Sequence, residues 1–222
     1  MKGKREPVVK MNRRKPIHGW GINDADYVTQ PKYIGKNCPY FEVWKGMITR
    51  CHCPKFKEKN PSYYNKTVCL EWKCFSNFKC WMETQDWEGK SLDKDILIYG
   101  NLEYSPNACL FVPLYVNSFF SSVSTKKSGL PLGVHLAAKY KESKRKYISQ
   151  STDNVRYQGC YDTAIEAHIK WQECKLETSV LYRERYSKES DADNRVVNKF
   201  DLVIAQLDRE IKNGWETTCI LY

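Results

Sequence analysis

Long apolar runs, histidine and paired-cysteine motifs are scarce in this 222-residue chain. No apolar stretch approaches the roughly 20 residues that a bilayer-spanning helix needs. The opening MKGKREPVVKMNRRK has no apolar core of the kind a secretory signal carries. These two absences argue against a membrane partner and against secretion, and we read the chain as cytoplasmic. Histidine occurs only four times, at His18, His52, His135 and His168. Among ten cysteines there is no Cys-x-x-Cys pair, the spacing by which a tight turn aims two sulfurs at one zinc ion. Gly19 and Gly21 do not form a phosphate-binding fingerprint.

What the chain does have is aromatic content and positive charge. Seven Trp and fifteen Tyr within 41% hydrophobic residues suffice to build cores. The formal net charge of +10 attracts polyanions and speeds their encounter, so nucleic acid is the first partner class to consider. In a reducing compartment the cysteines read as thiols or metal ligands. Cys69 and Cys74 alternate with Leu70, Trp72 and Phe75 as core positions do, so small buried thiols are expected. A zinc site around Cys51-His52-Cys53 is the minority alternative.

Residues 1–18 form a basic arm, with Lys2, Lys4, Arg5, Lys10, Arg13, Arg14 and Lys15 against a single Glu6. From Pro39 the residues Tyr40, Val43, Trp44, Met47 and Ile48 recur at helical spacing, and Pro54 and Pro61 end that helix in a lysine-rich loop. A second aromatic helix is expected over about residues 70–85 from Trp72, Phe75, Phe78 and Trp81. The block 92–117 holds Asp93, Asp95, Gly100-Asn101, Tyr104-Ser105-Pro106, an apolar run to Pro113, and Asn117. It reads as a strand, a loop and a short helix. Strand alternation would set Asp93 and Asp95 on one face.

Residues 121–131 are small, polar and basic, and read as a linker. The second module, 132–222, has short strands near Val134, Tyr147 and 155–160, with a lysine-rich run at 139–146 between the first two. Thr163-Ala164-Ile165-Glu166 is a capping box that opens a helix. Val196, Val197, Phe200, Val203, Ile204, Leu207 and Ile211 make one stripe of a last helix, which Gly214 is placed to end. Whether that helix packs on its own module or pairs between chains is left open by the pattern.

Two stretches carry a resemblance. The order Trp44, Met47, Arg50-Cys51, Tyr64, Val68, Trp72, Phe75, followed by Leu92-Asp93, Asp95, Gly100-Asn101 and Tyr104-Ser105-Pro106, resembles the HNH-like homing endonucleases of phages and mobile elements. Gly133-Val134, the basic strand with Tyr147, Gly159-Cys160-Tyr161-Asp162-Thr163 and Glu166-Ala167 resemble the ethylene-response-factor type of DNA-binding domain that follows such cores. The resemblance implies an α+β chain: an HNH-like ββα core with flanking helices over 19–120, then a three-stranded antiparallel sheet with a helix, and a C-terminal helix.

It also implies a function, the hydrolysis of double-stranded DNA with a divalent metal, magnesium or manganese. Asp93 and Asp95 would be metal ligands, with Asn101 and Asn117 completing the catalytic set. Lys139, Lys141, Lys144, Arg145, Lys146 and Arg156 would face DNA. The chain departs from the pattern in one respect, because the block 92–117 lacks the histidine that serves as general base. Water would then be activated by a carboxylate or by a histidine from elsewhere, with His18 and His52 ahead of His135 and His168. The competing expectation is a non-cutting DNA-binding or host-interaction protein on the same scaffold.

Overall fold

The computed structural model describes residues 14–31, 35–121, 129–137, 146–150 and 157–220. In chain order these form α1 (Pro39–His52), α2 (Pro54–Lys59), β1 (Thr67–Val68), α3 (Phe75–Met82), β2 (Ser91–Asp93), β3 (Glu103–Tyr104) and β4 (Leu110–Val112). There follow α4 (Leu114–Ser121), β5 (Val134–Leu136), β6 (Tyr147–Gln150), β7 (Tyr157–Tyr161), α5 (Ala164–Tyr186) and α6 (Asn194–Asn213). The mixture of helices and small sheets is the α+β class that the sequence implied. Among the described residues no helix is long and apolar enough to cross a membrane. The ten cysteines are thiols, with Cys51 and Cys109 buried.

The contacts divide the chain into two units, Met1–Glu88 with Gly100–Phe111, and Gly89–Tyr99 with Val112–Tyr222. This division differs from a boundary at 121–131, and aromatic packing is the reason. Phe119 and Phe120 of α4 lie 5.0 and 4.7 Å from the Phe200 ring of α6, and Tyr115 lies 5.0 Å from Tyr182 of α5. The two phenylalanines are almost fully buried, which is worth about 1.5–3 kcal/mol for each such side chain. Helix α4 therefore belongs with the C-terminal helices. Of the expected linker, residues 122–128 lie outside the described residues.

In the first unit, α1 turns Phe41, Trp44, Met47, Ile48 and Cys51 inward. Trp44 meets Phe75 at 5.6 Å, and its indole N–H donates to the Trp72 carbonyl at 2.8 Å. Gly21 packs so closely on Trp44 that a Cβ there would touch the ring at 2.9 Å. The helix expected over about 70–85 is broken. Leu70–Lys73 is a 3-10 turn, Cys74 is extended (φ −87°, ψ 130°), and only then does α3 begin. The cause is a distant partner: the Ile22 N–H donates to the Lys73 carbonyl at 2.8 Å, and the Phe75 N–H to the Ile22 carbonyl at 2.9 Å. That parallel bridge holds Cys74 out of the helix. Strand β3 pairs in parallel with β1. The lysine-rich stretch after Pro54 is the helix α2, which that proline starts at its first turn.

In the second unit, α6 runs alongside α5 and so packs within its own module. Its stripe Val196, Val197, Phe200, Val203 and Leu207 is buried as expected. Asp193 caps its start, and Gly214 (φ +66°) ends it in the left-handed conformation that glycine adopts most readily. Strands β5, β6 and β7 form an antiparallel sheet in that order, with Val134 opposite Ser149 and Ile148 opposite Cys160.

Candidate functional site

The carboxylate block is arranged by a turn. Strand β2 ends at Asp93, and residues 94–98 bend, so Asp93 and Asp95 do not share one face of a strand. This corrects the expected alternation. Its physical origin is Asp93 itself, whose Oδ1 accepts the Asp95 and Ile96 N–H groups, both at 2.7 Å, folding the chain back within three residues. Asp93 is 9% exposed, and burial pushes its carboxyl above the usual range, against the two backbone donors that pull it down. Asp95 is half-exposed and pairs with the buried Lys94 Nζ at 2.5 Å.

Asn117 is carried on α4, which packs on β2, so it shares a unit with the two aspartates. Asn101 belongs to the other unit. Its side chain closes a local loop, donating to the Glu103 carbonyl at 2.6 Å and accepting the Glu103 N–H at 3.2 Å. Its carbonyl accepts Lys66 Nζ at 2.8 Å. Among the described residues no three His, Cys, Asp or Glu side chains come together to hold a metal ion.

The histidines fall into two kinds. In the first unit His18 Nε2 lies 3.1 Å from Thr49 Oγ1, and His52 stacks on Trp20 at 4.3 Å. Burial, with Lys57 and His18 nearby, lowers the His52 pKa, and its buried Nε2 meets no hydrogen-bond partner. In the second unit His135 is exposed on β5. His168 is buried and locked. Its Nδ1 lies 2.8 Å from the Leu132 carbonyl, and the Thr217 N–H donates to its Nε2 at 3.0 Å. A carbonyl only accepts and a backbone N–H only donates, so the ring is neutral with its proton on Nδ1.

The sheet module shows how a small surface is built on a helix. Helix α5 packs across β5, β6 and β7, and its capping box is formed, with Glu166 N–H to Thr163 Oγ1 at 3.2 Å and Thr163 N–H to Glu166 Oε2 at 3.1 Å. Val134 and Ser149 are buried on the side that α5 covers, and His135, Ile148 and Cys160 lie on the opposite, more open face. Gly133 (φ +72°) brings the chain into β5 directly against the Trp171 ring of α5. Lys146, half-buried, holds its Nζ 5.6 Å from the Tyr147 ring centroid. Lys139, Lys141, Lys144, Arg145 and Arg156 lie outside the described residues. Arg14, in the basic arm, donates to the carbonyls of Ala25 and Tyr27 at 2.9 and 2.8 Å and to Asn23 Oδ1 at 3.0 Å, so it fastens the chain locally.

Apolar periodicity missed the most organised polar feature. The buried face of α5 carries His168, Gln172, Lys175 and Ser179. Gln172 Nε2 donates to Thr217 Oγ1 at 2.8 Å and to the Trp215 carbonyl at 2.9 Å. Lys175 Nζ lies 3.7 Å from the Phe119 ring centroid, and Ser179 donates to the Lys175 carbonyl at 2.6 Å. These residues recur at spacings of three and four, the helical period, and that was the available signal. No family model, curated protein or solved structure matches the chain.

Proposed function

We propose that this chain binds double-stranded DNA through its C-terminal sheet module, in the manner the resemblance to phage HNH-like homing proteins implies. The observation that carries the reading is the three-stranded antiparallel sheet with α5 packed across its strands and the exposed His135 on β5. A two-stranded ribbon already fits the major groove, and lysine and arginine on such strands suit phosphates and guanine edges. The net charge of +10 supports the same partner. Lys139, Lys141, Lys144, Arg145, Lys146 and Arg156 are the proposed contacts. If all six neutralise phosphates, a salt titration with duplex DNA should give a log–log slope of about −5. A slope near zero would overturn the reading. Replacing Lys144 and Arg145 together with alanine should weaken binding to all duplex sequences alike.

Of the two functions the resemblance implies, binding without cutting is the one the geometry supports better. Asp93 separates them, because its Oδ1 already accepts two backbone N–H groups while Asp95 is paired with Lys94. With the Asp93 carboxylate holding a turn and the Asp95 carboxylate paired with Lys94, the two do not fit a prepared pair of magnesium or manganese ligands. A plasmid-nicking assay with either metal, against an EDTA control, tests this. Metal-dependent nicking that Asp95→Ala abolishes would restore the endonuclease reading.

A further inference from the structure

The first unit carries a groove that neither the carboxylate block nor the sheet module uses. It runs along α1 to the start of α2, encloses about 320 Å³, and is lined by Glu42, Lys45, Gly46, Thr49, Arg50 and Phe56. Its floor is a glycine at the eighth position of a 14-residue helix, where only proline is less favourable. Among the described residues nothing asks for that glycine, since a Cβ at Gly46 would meet no atom within 4 Å. Its effect is to leave the groove open down to the helix backbone.

One turn further on, Arg50 has its Nε buried without a hydrogen-bond acceptor. A buried, charged donor left in that state is costly, and because Arg50 also lines the groove, an anion held there would offset its charge. Arg50 also lies against the Tyr104 ring, with its guanidinium carbon 5.5 Å from the ring centroid. Lys45 donates to Gln30 Oε1 at 3.2 Å, and Gln30 Nε2 donates to Glu42 Oε1 at 2.6 Å. The lining's one carboxylate, Glu42, accepts from Gln30 and keeps its charge, and the two cations Lys45 and Arg50 outnumber it, so the groove is net positive. At its end the half-buried Phe56, in edge contact with Tyr63 at 5.5 Å, supplies a flat apolar wall.

We propose that this groove binds a nucleotide unit, its phosphate on Arg50 and Lys45, its base against Phe56, and its sugar passing over Gly46. A volume near 300 Å³ is at the lower end of small-ligand sites and suits one such unit. The unit could come from a free mononucleotide or from a single strand, and the chemistry recognised is the same. The proposal lies wholly within the first unit and does not rest on duplex binding by the sheet.

The test is calorimetric titration of the full chain with thymidine 5′-monophosphate, with the single strand dT8, and with inorganic phosphate. Binding of thymidine monophosphate as tightly as dT8 assigns the free nucleotide, and much tighter binding of dT8 assigns the strand. Gly46→Met puts a helix-favouring side chain into open space, so the melting temperature should hold or rise while affinity for either nucleotide probe falls about tenfold or more. Arg50→Gln, checked by the same melting measurement, should lose affinity to a similar degree. Should Gly46→Met fail to fold, Arg50→Gln decides alone. Inorganic phosphate binding as well as both nucleotide probes, no binding of any probe at millimolar concentration, or a folded variant that binds like wild type would each overturn the proposal.

Discussion

Replacing Gly133 with alanine tests how the sheet is fastened to α5. Two separate costs meet at this position. The backbone is left-handed, with φ +72°, which strains a residue bearing a Cβ by about 1–2 kcal/mol. The new methyl would also fall on Cδ1 and Cγ of Trp171, an indole that is only 7% exposed and cannot simply swing into solvent. Carbon atoms pack at about 3.5–4.0 Å, so either the ring or the start of β5 must move, at about 1–3 kcal/mol for overpacking of this kind. The sum is about 2–5 kcal/mol. For a chain of this length each kcal/mol lowers the melting temperature by about 2–4 °C, so a loss of about 4–20 °C is expected. Gly129→Ala is the internal control, because Gly129 has the same φ, +71°, and nothing within 4 Å of an added Cβ. It should show only the strain, about 2–8 °C on the same scale. Differential scanning calorimetry of both variants measures the difference. Equal losses would mean that Gly133 is not pressed against Trp171, and the account of how β5 is seated would fail.

Three further outcomes follow from the same geometry. Asp93→Ala strands two backbone donors and should cost about 1–3 kcal/mol in chemical denaturation, whereas Asp93→Asn keeps the accepting oxygen. Because burial raises the Asp93 pKa, its favourable contribution is present at low pH and lost as pH rises through the folded value, so Asp93→Asn should gain on wild type towards neutrality. Asp193 has the opposite sign. Its hydrogen bond with the Arg195 side chain holds its pKa below the ordinary carboxylate range, so its contribution is present above that range and lost as pH falls through the folded value. Melting curves of Asp193→Asn should therefore converge on wild type in acid, and Asp193→Ala should cost about 0.5–2 kcal/mol near neutrality by removing the cap of α6. Nitrogen-15 NMR should find His168 neutral with its proton on Nδ1, and an Nε2-protonated ring would contradict the Thr217 contact.

Elements specified by their own residues were legible in the sequence. Trp44, Met47 and Ile48 predict the inner face of α1, Thr163 and Glu166 predict the cap of α5, and the stripe from Val196 to Leu207 with Gly214 predicts α6 and its end. Elements specified by a distant partner were not. Nothing near Cys74 announces the break before α3, because Ile22 imposes it from more than fifty residues away. The seating of α4 depends on Phe200 in the same way, and the composition of 121–131 drew the boundary elsewhere. The carboxylate block was misread on one local point. An aspartate at a strand end can capture the N–H groups two and three residues on, and two aspartates two residues apart suggest alternation just as readily as a turn.

The polar inner face of α5 has a mechanical consequence. A helix seated by aliphatic side chains can slide or roll a little at small cost, since one apolar contact replaces another. A helix seated by His168, Gln172 and Lys175 has directional bonds to the Leu132, Thr217, Trp215 and Phe119 backbone or side chains, and a shift of one residue would break them together. The three strands resting on it are thus carried on a keyed shaft, fixed in both rotation and translation. A surface mounted in that way keeps its spacing when a ligand presses on it, and any loosening of the C-terminal segment around Thr217 would be felt at the sheet.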